Sequence, residues 1–161
     1  MGYHVLFSFT PTLKGGAALY LFSKSSERWW NKPLVVWDGK SIPAELAVLN
    51  IQREVWPNGA WLNSTKLSTG VIDLVGQEAS RKVERITIPI WVREMLSQIY
   101  ERASVSKGCP DVVVWNEDTR AIHLLEVKRY KKDRLSADQK LYMEVAPQMS
   151  VSCEVIEWDY E

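Results

Sequence analysis

Pro110-Asp111-Val112-Val113-Val114-Trp115, Asn116-Glu117-Asp118-Thr119-Arg120, Ala121-Ile122-His123-Leu124-Leu125-Glu126-Val127-Lys128: two apolar runs rich in β-branched residues enclose five polar ones. That pattern predicts two antiparallel strands joined by a short turn. Folding the hairpin about Asp118 sets Asp111 opposite Leu125, with Glu126 one position along. Paired strands lie about 4.8 Å apart, so both carboxylates can reach one cation. Strand alternation puts Leu124, Glu126 and Lys128 on one face, so the ammonium shares the side of the carboxylates. The alternative reading of Asp111, Glu126 and Lys128 is a structural salt bridge. Against it, carboxylates in runs of Val, Leu and Ile are costly to bury. One Lys offsets one of them, and the second then raises a pKa or recruits a cation.

From Gly108 to about Trp158 the chain resembles the VRR-type nuclease domains of the PD-(D/E)XK superfamily. It is similar to the C-terminal nuclease domain of the Fanconi-associated nuclease and its bacterial relatives. The residues that carry the likeness are Gly108-x-Pro110-Asp111-x-Val113-Val114-Trp115-Asn116, then Leu125-Glu126-Val127-Lys128, then Asp133-Arg134-Leu135-Ser136-x-x-Gln139. The likeness thins over residues 43–107 and is absent over 1–42.

The resemblance implies an α/β, restriction-endonuclease-like core of helix, three strands, helix and strand. It implies Mg²⁺ or Mn²⁺ on Asp111 and Glu126, with the Val127 carbonyl as a further donor. Lys128 would orient or polarise the attacking water. A Glu from the first helix usually completes such a site, and Glu45 is the candidate, with Glu54, Glu94 and Glu101 as competitors. Glu45 also suits a plain solvent-facing acid near a helix start, favoured there by the helix dipole. Pro43 near the first turn of the Ile42–Ile51 run supports that helix.

Gln139 has two readings. The resemblance sets it beside the active site, and Ser136-Ala137-Asp138-Gln139 also fits a capping box. The helix that follows reads as amphipathic through Leu141, Val145 and Met149, limited by Pro147. Val151–Trp158 alternates as a final strand. The basic run Lys128-Arg129-Tyr130-Lys131-Lys132-Asp133-Arg134, with Lys107 ahead of the Gly108 turn, suits nucleic-acid phosphates. The bland alternative is a solvated loop. Arg93, Arg102 and Lys82 are weaker candidates for the same patch.

With 161 residues the chain suits one domain, an N-terminal β extension over 1–42 and a nuclease core over 43–161. An insertion is expected at about 65–107, with a hairpin or loop up to residue 88 and an amphipathic helix from Ile90. Ala17–Phe22 and Pro33–Trp37 read as strands, with turns at Ser23–Ser26 and Asp38–Lys40. Trp29, Trp30 and Trp37 are either a stacking platform for bases or packing for a small sheet. Twenty basic residues balance twenty acidic ones, which excludes coating of DNA by bulk charge. Cys109 and Cys153 lack metal spacing, and with His4 and His123 as the two histidines a zinc site is not expected. His123 falls on the strand face opposite Glu126.

No signal peptide or membrane span is expected, so a cytoplasmic or nuclear location follows. The expected activity is divalent-metal-dependent hydrolysis of DNA. The resemblance implies branched or flapped DNA in repair or recombination, and small stand-alone relatives act as homodimers. A defence nuclease with the same chemistry and a non-catalytic nucleic-acid- or protein-binding module on the same fold are the alternatives.

Overall fold

A computed structural model describes residues 12–14, 17–27, 32–62, 66–76 and 82–161. Among these, ten strands form one sheet and three α-helices pack on it. The N-terminal strands are β1 (Thr12–Lys14), β2 (Ala17–Lys24), β3 (Leu34–Trp37) and β4 (Lys40–Pro43). Helix α1 (Ala44–Gln52) and β5 (Asn58–Trp61) follow, then β6 (Thr69–Val75), β7 (Lys82–Thr87) and α2 (Ile90–Ala103). The chain closes with β8 (Val112–Trp115), β9 (Ile122–Arg129), α3 (Ala137–Val145), a 3₁₀ turn over Ala146–Met149 and β10 (Ser152–Tyr160).

The strand order is β4-β3-β2-β10-β9-β8-β5-β6-β7, with β1 also on β2. Pairing is antiparallel except where β10 meets β9 and β2. The parallel β9–β10 pair needs a crossover, and α3 supplies it. Every residue of β8 is buried, because helices cover both faces of the sheet there. Val112, Val114, Leu125 and Val127 pack under α1 with Leu46 and Leu49. Val113, Trp115 and Leu124 pack on the other side with Leu96 and Ile99 of α2 and Tyr142 of α3. Phe22 and Val35 from the N-terminal strands belong to the α1-side core, and Trp37 packs against it. Trp29 and Trp30 lie outside the described residues.

Three local expectations are corrected. Residues Ser23 and Lys24 continue β2, where they pair with Val36 and Val35, rather than opening a turn. In the β8–β9 hairpin, Val112 pairs with Leu125 and Trp115 with Ile122. The register is thus one residue from a fold about Asp118. The reason is that Asn116 N–H closes on the Ala121 carbonyl at 3.0 Å, with Arg120 left-handed at φ 60°. Only Glu117–Arg120 therefore loop out. In α3 the residue turned inward is Tyr142, fully buried, whereas Leu141 is 44% exposed. A Tyr can occupy that core position because its hydroxyl donates to the Leu96 carbonyl at 2.9 Å.

No helix of the described residues is long and apolar enough to cross a membrane.

Candidate active site

Strand β9 carries alternate side chains to opposite faces, and this sorts the chemistry. Glu126 points to the α2–α3 side and is 1% exposed. Its Oε1 accepts from Lys128 Nζ at 3.2 Å and from Gln139 Nε2 at 2.9 Å. Its Oε2 is buried and accepts no hydrogen bond among the described residues. Asp111 lies one residue before β8, and its Oδ2 accepts the Val127 N–H at 3.1 Å. The hairpin register brings it next to Glu126 on that face.

Burial, followed by the charge of Glu45, raises the Asp111 carboxyl above its ordinary value, against the Val127 N–H. Burial, followed by the Asp111 charge, pushes Glu126 up to about 8, with Lys128 opposing. Both shifts have one physical meaning. Two carboxylates share a desolvated site with one ammonium, Lys128, among the described residues. The free Glu126 oxygen and the all-oxygen donor set are what a hard divalent cation takes.

Gln139 forms the expected capping box and also reaches Glu126. Ser136 Oγ accepts the Gln139 N–H at 3.1 Å, and Gln139 Oε1 accepts the Ser136 N–H at 2.9 Å, which completes the capping box. The amide nitrogen left over is the one that reaches Glu126. The first turn of α3 is thereby fastened to the carboxylate. Gly108 sets the distance between the two. At φ +114° it lies so close that a Cβ would stand 2.7 Å from Asp138 C and O and 2.8 Å from Gln139 N. The next residue, Cys109, donates its N–H to Tyr100 Oη at 3.0 Å, tying the same loop to α2.

Glu45 stands in the first turn of α1, near enough to raise the Asp111 pKa. Its carboxylate is held by Lys32 Nζ at 3.1 Å. Among the described residues no group of three or more His, Cys, Asp or Glu is gathered as a metal set. The basic run is divided by alternation. Lys128 turns to Glu126, whereas the Arg129 guanidinium lies 5.5 Å from the Trp158 ring centre and 4.7 Å from that of Tyr160. Lys131, left-handed at φ 57°, and Lys132 form an exposed turn beyond it. Lys131 Nζ lies 5.2 Å from the Tyr130 ring centre. Arg134 and Lys107 are exposed as well. His123, on the opposite face, stacks on Trp56 at 6.0 Å and meets Ser152 and Glu154.

Sequence reasoning missed Lys32, for which no local pattern existed, and Asp133. The latter's Oδ2 accepts the Arg129 N–H at 2.9 Å and closes the turn after β9.

No curated protein matches this chain. The family model described as the VRR-NUC domain does match, over residues 63–158, more than half of the chain. That stretch holds Asp111, Glu126, Lys128 and Gln139, and it leaves out Lys32 and Glu45. The chain belongs to the VRR-NUC family, and it carries a nuclease-type domain.

Proposed function

We propose that the protein is a divalent-metal-dependent DNA nuclease that hydrolyses phosphodiester bonds at the Asp111–Glu126–Lys128 site. The observation that carries this reading is the buried Glu126 Oε2, which accepts no hydrogen bond among the described residues and lies beside the Asp111 carboxylate. In this reading Asp111, Glu126 and the Val127 carbonyl hold Mg²⁺ or Mn²⁺. When bound, such an ion supplies Lewis-acid polarisation of a phosphoryl oxygen and lowers the pKa of a water.

The remaining work falls to the chain's own groups. Lys128 keeps one donor on Glu126 and has two left for a phosphoryl oxygen or the attacking water. Gln139 anchors Glu126 through Oε1, which leaves Oε2 for the metal. The capped N-terminus of α3 adds a positive dipole end beside the carboxylates, suited to an incoming phosphate. Lys107, Arg129, Tyr130, Lys131, Lys132 and Arg134 would carry the flanking DNA, with salt-dependent affinity. The chain order α1, β5, β8, β9, α3, β10, with β6, β7 and α2 interposed, supports a restriction-endonuclease-like core. Branched or flapped DNA is the substrate class we infer, in keeping with the family resemblance.

The test is a labelled panel of single strand, duplex, 5′ flap and four-way junction, incubated with Mg²⁺, Mn²⁺ or EDTA. Wild type should cut only with metal, and Asp111→Ala and Lys128→Ala should each lose at least about a hundredfold in rate. Folded wild type that leaves every substrate intact with metal present would sink the enzymatic reading in favour of a binding module.

A further inference from the structure

A cavity of about 350 Å³ opens on the α1 side of β9, and Glu45, whose charge acts on Asp111, lines it. Val127 stands in its wall, and the N–H of that residue bonds Asp111. Three cations from three separate segments line it: Lys32 ahead of β3, Arg129 at the end of β9, and Lys132 in the following turn. Three cations against the two carboxylates Glu45 and Asp133 leave this lining with a net positive charge, which suits an anion.

Glu45 and Asp133 also line the cavity, but both are engaged. Glu45 accepts from Lys32, and Asp133 accepts the Arg129 backbone N–H. The Lys32 ammonium uses one donor on Glu45 and keeps two. Arg129 is held by the Trp158 and Tyr160 rings and by Asp159 Oδ1 at 3.4 Å, so little ordering remains to be done on binding. Among the described residues no carboxylate pairs with Lys132, and its side chain is exposed.

We propose that this cavity is a subsite for a second backbone phosphate of the nucleic-acid substrate, with Lys32, Arg129 and Lys132 as its contacts. The assignment rests on the nuclease reading above and extends it to the N-terminal segment, since Lys32 lies outside the stretch matched to the family. Lys32 is then a bridge: it orients Glu45 on one side and meets the substrate strand on the other.

The experiment uses the full chain, a fluorescein-labelled oligonucleotide and Ca²⁺ to support binding without cleavage, with anisotropy read over a salt series. Mn²⁺ affinity without DNA is measured separately by electron paramagnetic resonance. Lys32→Ala and Lys132→Ala should each weaken oligonucleotide binding roughly threefold to tenfold and lower the salt slope by about 1. Mn²⁺ affinity of Lys132→Ala should stay within about twofold of wild type, because Lys132 is not a ligand and pairs with no candidate ligand. Unchanged oligonucleotide affinity and slope would overturn the subsite. So would tighter Mn²⁺ binding by Lys32→Ala with no loss of DNA, which would make Lys32 only the counter-ion of Glu45. Wild type that binds Mn²⁺ but no oligonucleotide defeats the subsite, whereas wild type that binds neither defeats the nuclease reading with it.

Discussion

Replacing Gly108 by Ala tests how the site is held. The backbone there has φ +114°, a region open to glycine and strained for any L side chain by about 1–3 kcal/mol. A Cβ would also meet Asp138 C and O at 2.7 Å and Gln139 N at 2.8 Å, and these are backbone atoms that no rotamer change can move aside. Forced overpacking of this kind costs about 1–3 kcal/mol. Partial relief by movement of α3 brings the expected total to about 3 kcal/mol, or roughly 6–12 °C in Tm for a chain of this size.

Relief has a functional consequence, because moving α3 lengthens the 2.9 Å bond from Gln139 Nε2 to Glu126 Oε1. Urea unfolding followed by tryptophan fluorescence measures the stability loss. Cleavage rates of Gly108→Ala, Gln139→Ala and the double variant measure the functional coupling. The double variant should lose less than the two singles combined, since both act through one hydrogen bond. A stability loss below about 1 kcal/mol, or full additivity, would refute the claim that Gly108 sets the position of α3.

Metal-free stability should depend on pH through Glu126. The unfolded carboxyl ionises near 4.5 and the folded one near about 8, so between these values the folded state holds a proton that the unfolded chain has released. The Glu126 contribution to stability is therefore fully present below 4.5 and is lost as pH rises through about 8. Thermal melts in EDTA should follow this fall, Glu126→Gln should flatten it, and a pH-independent Tm for wild type would refute it. Mn²⁺ should raise the wild-type Tm more at the alkaline end of that window, where protons no longer compete for the carboxylates. Tyr142→Phe removes the buried hydroxyl bond to the Leu96 carbonyl and should cost about 1 kcal/mol in urea unfolding, with cleavage unchanged. A loss of activity there would mean that the α2–α3 packing reaches the site.

The features legible in the sequence are those set by neighbours a few residues apart. Period-two alternation identified β8 and β9 and sorted Glu126 and Lys128 onto one face, because the pleat obliges it. The Ser136–Gln139 capping box was readable because its partners lie three residues apart. Parity alone was less secure for the hairpin register, which a left-handed Arg120 shifted by one residue. In α3, the same kind of pattern pointed to Leu141, where the hydrogen bond from Tyr142 to α2 decided otherwise.

Local periodicity and spacing made the two strands, the shared face of Glu126 and Lys128 and the capped helix legible, but not the register that sets Asp111 against Glu126. Long-range packing set β2 against β10, in register from Ile156 with Ala18 to Tyr160 with Phe22. It also brought Lys32 onto Glu45, set Gly108 against α3 and left Glu126 Oε2 without a hydrogen bond among the described residues. Several of these contacts join segments far apart in the chain, and all depend on how the helices settle on the two faces of the sheet. No local pattern encodes that choice, because it is made by packing the whole core at once.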